Sequence, residues 1–592
     1  MNDHHTIGAV ILAGGQNRRM HGEKKLFLTR QGRSFLDLLL ESFKDLLPVR
    51  LSVEEEGPYL QTGLPLILDR YRDIGPMGGI CSALETCPED AQLFTACDNP
   101  FLKRETIISL MEACRKAPDK ITLVRLEGKV LPLPGIYPKR LLPRLHELIG
   151  EGRCSLRGLA YTEAVQYVDV DGSASSGINI NSVQEYALQV GKGPIEAEDA
   201  ISLLKAAVSP VTDTEEVPLG LAIGRILAES VTAPFDQPPF PRSPLDGYAL
   251  RAEDTAGASR ARPVSLKVIG KIYAGQVFEG HIGPGECVRL MTGAPVPDGA
   301  DTVIRQEDTD LGRDEVRIYV PQKAYGNYCP AGEDYRAGTV LLRAGTRVTS
   351  ACAAVAAGTG RIRLRVFRKP AVAVISTGDE ILPAGTALQP GKIYDTNLPY
   401  VTGRLTELGG TIVSGMHGAD DEDLVAGTIR DLAKENDLII TTGGVSVGEK
   451  DIMHAVAEKL GGLRLFWKVR LKPGAPTLAF VTGDTLVICL TGNPYGVVAN
   501  FELLVRPVLE KLTCGAVSAG IRTKRLLAED SPKRAVVRRF LKGTEDGAFA
   551  RFAEGSQASG TISAMPSCNC LIELPAGSPG KKGEEVWVHP FS

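Results

Sequence analysis

Residues Ile7–Leu28 read IGAVILAGGQNRRMHGEKKLFL, and this stretch decides the fold of the first part of the chain. The apolar run Ile7–Leu12 predicts a buried strand, which breaks at Gly14-Gly15 into a polar loop. Two glycines after a strand present backbone N–H groups with no Cβ in the way, as the close approach of a base or a phosphate requires. The stretch therefore predicts an α/β domain with a phosphate-sized loop at a strand end.

Short apolar strands and amphipathic helices continue to alternate up to about Ala187. Ser34, with Asp37 three residues later, has the spacing of a capping box at the start of a helix. Such alternation predicts a mostly parallel sheet in a doubly wound domain. The further segments are strands at Leu66–Leu68, Leu93–Ala96, Lys120–Val124 and Val165–Val170, and helices at Gly79–Thr86 and Thr106–Lys116.

The rest of the chain divides where composition and periodicity change. The Gly-rich segment Val190–Glu196 predicts a flexible linker between halves that fold independently. A helix at Glu196–Val208 precedes Pro-dense turns and short strands, which predict an all-β piece inserted in a helical one. Alternation returns from Ala371 as a second doubly wound domain, and the tail from Arg522 predicts a small β-barrel. The fold class is a multidomain α/β protein, with domains at 1–190, 191–368, 369–515 and 516–592.

Length and composition exclude several classes of protein. The 592 residues predict about three to five domains at roughly 100–200 residues each. The net charge of −4 supplies no broad field for nucleic acid or an anionic membrane, so neither is expected as a partner. The 12 cysteines include no CxxC pair, which is typical of a reducing cytoplasm without zinc or disulfide frameworks. No apolar stretch approaches the roughly 18 residues of a membrane span and the start lacks signal-peptide features, so a cytoplasmic protein is expected.

Charged residues beside the glycine loop point to nucleotide chemistry. Arg18, Arg19 and Lys25 would lie over a triphosphate, where charge-assisted contacts suit a phosphorus transition state with extra negative charge. Asp69 and Asp98 each follow a predicted strand, and so fall at the carboxyl edge of the sheet, where open α/β folds bind ligands. Two carboxylates in an otherwise basic site suit Mg²⁺ held together with substrate phosphates.

Four motifs of this part resemble the molybdenum cofactor guanylyltransferases, over residues 5–187: LAGGQNRRMHGEKKLFL from Leu12, GPMGGI from Gly75, CDNPFL from Cys97 and NINSVQEY from Asn179. The resemblance implies transfer of GMP from GTP to the terminal phosphate of molybdenum-bound molybdopterin. It also implies contacts to GTP from Leu12, Ala13, Gly14, Lys25, Asp69 and Asp98. Asp98 is implied to bind Mg²⁺ as well.

The same loop distinguishes between nucleotides. Gly14-Gly15 followed by Arg18-Arg19 is the guanine-type version, whereas the related cytidylyltransferases usually have Ala-Ala-Gly. Two positions depart from the family's pattern: His21 stands where glycine is common, and Glu54 stands near a position that is often Asn. A cytidylyl- or sugar-nucleotide transferase is the alternative for this part, to be separated by comparing GTP with CTP and UTP.

The second half carries its motifs where predicted strands end: ISTGDE from Ile375, IYDTN from Ile393, TTGGVSVGEKD from Thr441, WKVRLKPGAP from Trp467 and LTGNPYGVVANFE from Leu490. Hydroxyls and unhindered amides there form a nest for phosphate or another oxyanion, at Ser376, Thr377, Gly378, Thr441, Thr442, Gly443 and Gly444. Lys468 and Lys472 supply positive charge. Five carboxylates could hold Mg²⁺ or orient water: Asp379, Glu380, Asp395, Asp420 and Asp451.

Together with PFPRSPLDGYAL from Pro239, MTGAPVPDGADTV from Met291 and AGED from Ala331, these motifs resemble the molybdopterin molybdenumtransferase family over about 195–592. Its members, including the carboxyl-terminal part of gephyrin, use adenylylated molybdopterin and molybdate; AMP leaves and the metal enters the dithiolene. The resemblance implies homodimers of elongated four-domain protomers, with a cleft between the domain around Ser376–Asp451 and residues such as Asp246. The candidate catalytic residues by motif position are Asp246, Thr292, Asp334, Glu380, Asp420, Asp451, Lys468 and Lys472, with Ser559 and Arg538 or Arg539 in the tail.

Both resemblances together predict a bifunctional enzyme, because metal insertion and guanylyl transfer are consecutive steps. Departures at Cys329, Ala475 and Thr491 bear on affinity for the pterin phosphate. Molybdopterin adenylyltransferase is the alternative for the second half, but it normally lacks flanking domains such as 195–368 and 522–592. A scaffold with inactive halves is the third alternative. A molybdopterin adenylyltransferase and molybdoenzyme chaperones are the candidate partner proteins.

Overall fold

The computed structural model describes residues 5–15, 17–170, 179–409, 411–418, 420–445, 452–518, 520–531 and 536–591. The chain forms two compact units, one made of Met1–Val211 with Lys369–Ser592 and the other of Thr212–Arg368. Within these ranges no helix has both the length and the apolar character needed to cross a membrane.

The first domain is an α/β domain built on a seven-stranded sheet of order β5-β4-β1-β6-β8-β7-β9. Neighbouring strands are parallel except β8, which pairs antiparallel with β6 and β7. The strands of the sheet are β1 Ile7–Leu12, β4 Val49–Val53, β5 Leu66–Leu68, β6 Ala91–Ala96, β7 Ile121–Leu126, β8 Lys129–Pro138 and β9 Val165–Val170, and β2 Thr29–Arg30 and β3 Arg33–Ser34 form a separate pair. Its helices are α1 Phe35–Phe43, α2 Pro76–Thr86, α3 Arg104–Lys116, α4 Leu142–Gly150, α5 Leu156–Thr162 and α6 Val183–Val190.

Local sequence explains most of these elements. Ser34 and Asp37 form the reciprocal hydrogen bonds of a capping box at the start of α1, as predicted. The strand β8 lies inside the sheet although it contains Pro132, Pro134 and Pro138. Because proline is rare inside a sheet, the sequence pattern does not predict this strand. Helix α7, Ala197–Ala206, follows the first domain and falls within the predicted helix Glu196–Val208.

The unit Thr212–Arg368 combines small sheets with two short helices. Its largest sheet has five strands in the order β15-β12-β14-β13-β16, while β10 pairs with β18 and β11 with β17. The strands are β10 Thr214–Pro218, β11 Val231–Thr232, β12 Gly247–Leu250, β13 Val264–Ile272, β14 Glu286–Leu290, β15 Thr302–Arg305, β16 Glu315–Ile318, β17 Val340–Leu342 and β18 Arg363–Phe367. The helices are α8 Leu219–Ala222 and α9 Ser350–Gly358.

A second α/β domain follows, with a sheet of order β22-β19-β23-β26-β25-β24. The strands β22, β19, β23 and β26 are parallel, and β25 and β24 run antiparallel. The strands of the sheet are β19 Ala371–Thr377, β22 Ile412–Gly418, β23 Leu438–Thr442, β24 Leu463–Trp467, β25 Leu478–Thr482 and β26 Thr485–Leu490, and β20 Ile381–Leu382 and β21 Ile393–Tyr394 form a separate pair. The helices are α10 Asn397–Leu408, α11 Glu422–Leu432, α12 Ile452–Lys459, α13 Pro494–Asn500 and α14 Arg506–Leu512, the last two joined by a π-helical turn at Phe501–Val505.

The tail forms the predicted small barrel. Its strands close in the order β27-β29-β28-β30-β31. They are β27 Thr523–Leu527, β28 Arg539–Glu545, β29 Phe549–Phe552, β30 Cys570–Leu574 and β31 Glu585–Pro590. The barrel interior is apolar and includes Cys570, which is fully buried.

The segment predicted as a flexible linker is held in place. The amide of Ile195 donates to the carbonyl of Lys468 at 3.1 Å, and the amide of Arg470 donates to the carbonyl of Ile195 at 2.7 Å. A Cβ at Gly191 would lie 2.0 Å from the carbonyl oxygen of Leu465, so helix α6 ends in close contact with strand β24. One apolar cluster includes Met20, Leu28, Phe35 and Tyr186 of the first domain together with Leu204, Leu465, Val508 and Leu512. The two halves of the chain therefore share a core within this unit.

Candidate functional sites

The first candidate site lies where four parallel strands of the first domain end. Strands β5, β4, β1 and β6 are adjacent, so the residues that follow them meet at one edge of the sheet. The amide of Asp69 donates to the carbonyl of Val53, and the amide of Cys97 donates to that of Leu12. The glycine loop, Asp69 and Asp98 therefore share this edge, as the sequence predicts.

Lys25 lies at the centre of this site. Its Nζ is 3.3 Å from Oδ2 of Asp98 and donates to Oδ1 of Asn181 at 2.9 Å. The backbone holds this arrangement, because the amide of Ile180 donates to the carbonyl of Asp98 at 2.9 Å. Lys25 and Asp98 are 12% and 17% exposed. Asn181 was not singled out from the sequence, although the NINS motif that resembles the transferases contains it.

Burial sets the electrostatics of Asp98. It raises the pKa of this carboxyl above its ordinary value, while the charge of Lys25 and its hydrogen bond act in the opposite direction. Oδ1 of Asp98 is buried and has no hydrogen-bond partner among the residues that the structure describes. The site therefore contains a carboxylate oxygen that a cation could bind.

The glycine loop packs against two more carboxylates. A Cβ at Gly14 would lie 3.0 Å from Oδ2 of Asp69, and the amide of Gly15 donates to Oε1 of Glu54 at 2.9 Å. The hydroxyl of Ser52 donates to Oδ1 of Asp69 at 2.5 Å. Burial raises the pKa of Asp69, the Ser52 hydrogen bond lowers it, and the charge of Glu54 raises it further. Glu54, a departure from the family's pattern, thus holds the loop in this structure.

Leu12 and Ala13 contribute through their backbone. The amide of Ala13 donates to the carbonyl of Ser52 at 2.9 Å, and the hydroxyl of Tyr59 donates to the carbonyl of Ala13 at 2.8 Å. These bonds fix the strand end from which the loop departs. Arg19 lies exposed on the short turn Arg18–Met20.

The second candidate site lies at the ends of β19 and β23, which pair with Ser376 opposite Thr442. The hydroxyl of Thr442 donates to that of Ser376 at 3.2 Å. Gly443 has φ +95°, and a Cβ there would lie 2.3 Å from the carbonyl oxygen of Thr377. Only glycine fits that position, so the backbone of the two loops is brought together as the sequence predicts. Gly378 and Gly444 also have positive φ, at +151° and +62°.

The five carboxylates of this domain have different surroundings. Oδ2 of Asp420 accepts the amide of Asp379 at 3.1 Å. Oδ1 of Asp395 caps helix α10 by accepting the amide of Asn397 at 2.8 Å, and its Oδ2 is 3.3 Å from Nδ1 of His417. The side chain of Glu380 is exposed. Asp451 lies outside the described residues.

Lys468 and Lys472 line a pocket of about 1200 Å³. Lys468 has a left-handed backbone, with φ 70°, and its Nζ lies 4.2 Å from the centre of the Trp467 ring. The amide of Lys472 donates to the carbonyl of Arg538 at 3.1 Å. The pocket is basic and is also lined by Glu196, Arg470, Asn493, Arg538, Arg539 and Ser559.

Two neighbouring arginines of this pocket differ in their partners. Arg538 lies 2.8 Å from Glu198 and 2.8 Å from Glu573, so its charge is compensated twice. Nε of Arg539 is buried, and no described residue forms a hydrogen bond with it. Arg539 is therefore the member of the pair with a donor left for a ligand, a distinction that the sequence did not provide.

Gly492 connects the pocket to the second glycine loop. It stands between Thr491 and Asn493, which line the pocket, and a Cβ on it would lie 3.6 Å from the Cα of Gly443. Its carbonyl accepts the side-chain amide of Asn397 at 2.9 Å. The basic pocket and the glycine-rich strand ends are therefore contiguous.

In the unit Thr212–Arg368, two of the three candidate catalytic residues are hydrogen-bonded to each other. Oδ1 of Asp246 accepts the amide of Thr292 at 2.8 Å and its hydroxyl at 2.7 Å. These bonds hold the pKa of Asp246 below its ordinary value. The side chain of Asp334 is exposed, while its amide donates to the carbonyl of Gln237. Cys329, which replaces a common arginine, lies 3.5 Å from Nε of Arg242.

A further cluster in the first domain combines Cys81, Glu85 and His146, whose ligand atoms lie within 4.8 Å of one another. Glu85 already accepts hydrogen bonds from Tyr71 at 2.8 Å and from Arg70 at 3.0 Å, and its Oε1 lies 2.7 Å from Nε2 of His146. Burial raises the pKa of the Cys81 thiol to about 11. The carboxylate already has three partners and the thiol is protonated, so this cluster is an ion-pair network between helices α2 and α4.

Family models match the chain in four consecutive segments. Residues 9–164 match a MobA-like NTP transferase domain. Residues 195–360 match the MoeA N-terminal region (domain I and II), 373–511 a probable molybdopterin binding domain, and 521–591 the MoeA C-terminal region (domain IV). The flanking domains that a molybdopterin adenylyltransferase normally lacks are thus present, and that alternative is not favoured.

Individual proteins match over the same part of the chain. A molybdopterin molybdenumtransferase from Bacillus subtilis is 37% identical over 384 residues, which are 64% of this chain and 89% of that protein. One from Staphylococcus aureus is 35% identical over 401 residues, 66% and 94% of the two chains. Two structures of a molybdopterin biosynthesis MoeA protein from Pyrococcus horikoshii are 33% and 31% identical, with TM-scores of 0.60 and 0.56. They cover 68% and 67% of this chain and 100% of their own.

Proposed function

The chain belongs to the molybdopterin molybdenumtransferase family through residues 195–591, and from this premise we propose that it catalyses two consecutive steps of molybdenum cofactor biosynthesis. The second part transfers molybdenum from molybdate into adenylylated molybdopterin and releases AMP. The first domain, of the MobA-like NTP transferase type, then transfers GMP from GTP to the terminal phosphate of the metallated product. One observation carries the proposal: a single chain holds a largely buried Lys25–Asp98 pair beside one glycine loop and a basic pocket beside another.

In the first domain, an oxygen of the acceptor's terminal phosphate attacks the α-phosphorus of GTP and pyrophosphate leaves. Lys25 stabilises the negative charge that develops on the phosphates, and Asn181 and Asp98 hold its ammonium group in place. The backbone of Leu12–Gly14 lets the nucleotide approach the strand end closely. Asp69 lies on the other side of the loop, within reach of the same nucleotide.

Asp98 fits a divalent cation, because its buried Oδ1 is an oxygen ligand that no described residue already uses. We therefore assign Mg²⁺ to Asp98 together with phosphate oxygens of GTP. When bound, Mg²⁺ neutralises charge on the phosphates during transfer. Lys25 compensates Oδ2 of the same carboxylate.

In the second part, the basic pocket supplies the oxyanion site. Positive charge for molybdate and for the pterin phosphate comes from Lys468, Lys472 and Arg539, whose Nε has no partner among the described residues. The contiguous strand ends at Ser376–Gly378 and Gly443-Gly444 provide hydroxyls and amides for the adenylyl phosphate. Ala475, which replaces a common lysine, lies in the same pocket, so Arg539 compensates for that departure.

The test is mass spectrometry of the products formed by the purified chain. Supplied with adenylylated molybdopterin, molybdate, Mg²⁺ and GTP, the chain should yield AMP, pyrophosphate and the guanine dinucleotide form of the metallated cofactor. Without GTP the reaction should stop at the metallated cofactor and AMP. Without molybdate, no metallated product should form.

The remaining alternatives give different outcomes in the same assay. A cytidylyltransferase would use CTP in place of GTP, and a scaffold with inactive halves would form no product with any nucleotide. Light scattering of the purified chain tests the homodimer implied for the second part, which should have twice the mass of the 63.3 kDa chain.

A further inference from the structure

The nucleotide loop, residues 13–25, is anchored at both of its ends inside the first domain. At its start Gly15 contacts Glu54, and at its end Lys25 contacts Asp98 and Asn181. Between these ends the backbone takes left-handed conformations at His21, with φ 49°, and at Gly22, with φ 81°. The described part of the loop also contains a short 3₁₀ turn at Arg18–Met20, and side-chain contacts in its middle add to the two anchors.

Three residues in the middle of the loop, Met20, His21 and Glu23, contact the second part of the chain. Lys24, by contrast, contacts Glu55 of the first domain at 3.2 Å. Oε1 of Glu23 lies 2.9 Å from Nζ of Lys511 on helix α14. The same Nζ donates to the carbonyl of Lys205 on helix α7 at 2.7 Å. Nδ1 of His21 lies 2.6 Å from the hydroxyl of Ser209, just after α7. The side chain of Met20 is buried in the apolar cluster shared by both halves.

Lys511 is the more buried partner in its ion pair with Glu23. Its side chain is 7% exposed, against 25% for Glu23, and burial lowers its pKa while the charge of Glu23 raises it. A buried ammonium group needs its acceptors, so Lys511 fixes the carboxylate of Glu23 between helices α7 and α14. Only Lys24 separates Glu23 from Lys25, so a displacement of Glu23 changes where the ammonium group of Lys25 can reach.

We infer that Lys511, a residue of the molybdenumtransferase part, is a positioning residue for the reaction of the first domain. By holding Glu23 it places Lys25 for the phosphates of GTP. This explains His21 as well, because the side chain that replaces the common glycine makes a contact across the same junction. The inference rests on the proposed use of GTP by the first domain.

The experiment measures GTP affinity of the full-length chain by isothermal titration, together with kcat and KM for GTP. Lys511→Met should weaken GTP binding by about tenfold, the scale of one displaced charge-assisted contact, and Glu23→Gln should act in the same direction. The double variant should be no weaker than the more affected single variant, because both changes break one contact. Lys511→Arg should restore part of the affinity.

The matched control is Lys459→Met, which removes another salt-bridged helical lysine of the second part, paired with Glu422 and Asp423. It should leave GTP affinity unchanged. AMP release by the second part should stay within about twofold in all variants, because Lys511 lies outside the basic pocket. GTP affinity of Lys511→Met equal to that of Lys459→Met would overturn the inference. If Lys511→Met does not fold, normal GTP affinity of Glu23→Gln overturns it instead. Absence of GTP binding by the unaltered chain would overturn the proposed function, and with it this inference.

Discussion

At the scale of single residues, the ammonium group of Lys25 in the proposed nucleotide site contacts both Asp98 and Asn181. Losing a charge-assisted contact costs about 1.5–3 kcal/mol, so Lys25→Ala should lower guanylyl transfer at least about tenfold. Asp98→Ala should do the same, while AMP release by the second part is unchanged. Pyrophosphate release with GTP measures the effect, and Lys116→Ala, at an exposed position on α3, is the control. Normal transfer by either site variant would contradict the assignment.

Arg538 and Arg539 should behave differently although they are neighbours. Arg539→Met should lower molybdenum insertion without changing the melting temperature, because no described residue forms a hydrogen bond with its Nε. Arg538→Met should lower the melting temperature, because it leaves Glu198 and Glu573 without their shared partner. AMP release and thermal unfolding of the two variants measure this contrast, and the reverse pattern would exchange their roles. Lys468→Ala should resemble Arg539→Met and leave GTP binding intact.

Glu573 gives a pH dependence of stability. Burial acts to raise its pKa, but the hydrogen bond from His589 and the charge of Arg538 outweigh it, and the pKa lies below the ordinary value. A carboxyl with a lowered pKa in the folded state stabilises above its unfolded pKa, and this contribution is lost as pH falls through the folded pKa. The free energy of unfolding should therefore decrease below about pH 4, and Glu573→Gln should weaken that decrease. Urea unfolding at several pH values measures it, with exposed Glu585→Gln as the control.

At the scale of elements, the loop after β23 depends on Gly443. Alanine there would combine a positive φ with a Cβ 2.3 Å from the carbonyl oxygen of Thr377, whereas Gly461, also at positive φ, has open space around it. Gly461→Ala should cost about 1 kcal/mol and Gly443→Ala at least about 1 kcal/mol more, with loss of insertion activity. Denaturant unfolding and AMP release test the difference. Equal costs would show that the close approach to Thr377 is not maintained in solution.

Elements with a strong local signal could be predicted from the sequence. The strand Ile7–Leu12 and the capping box at Ser34 were confirmed, because periodicity and capping act within a few residues. Strand β8 was missed because its prolines contradict its place inside the sheet. Helices α13 and α14 are joined by the π-helical turn Phe501–Val505, which no local pattern indicates.

In the candidate sites, too, some residues could be predicted from the sequence and others could not. Motifs placed Lys25, Asp69 and Asp98 at one sheet edge, as the structure has them, because parallel strand ends meet by topology. Asn181 and the difference between Arg538 and Arg539 depend on contacts between residues far apart in the chain. Such contacts come from tertiary packing, which composition and spacing do not encode.

At the scale of the whole molecule, the junction between the halves differs most from the expectation of a flexible tether. Gln31 and Gly32 donate their amides to the carboxylate of Asp199 on α7, at 2.7 Å and 3.0 Å. The amide of Thr29 donates to the hydroxyl of Ser202 on α7 at 3.3 Å. With the shared apolar cluster, these contacts make the junction a packed interface rather than a linker. We therefore expect the halves to stay associated when the connecting peptide is cut.

This leads to a prediction for a chain cut at the junction. A protease site inserted after Lys192, which is exposed, should be cleavable in the folded protein. The fragments should still elute together in size-exclusion chromatography, because separating them would expose Met20, Leu28, Phe35 and Tyr186, all almost fully buried. GTP affinity should equal that of the uncleaved protein with the same insertion, since Lys511 would still hold Glu23. Separation into two monodisperse fragments that each keep their activity would show instead that the halves fold independently and that the shared core contributes little to holding them together.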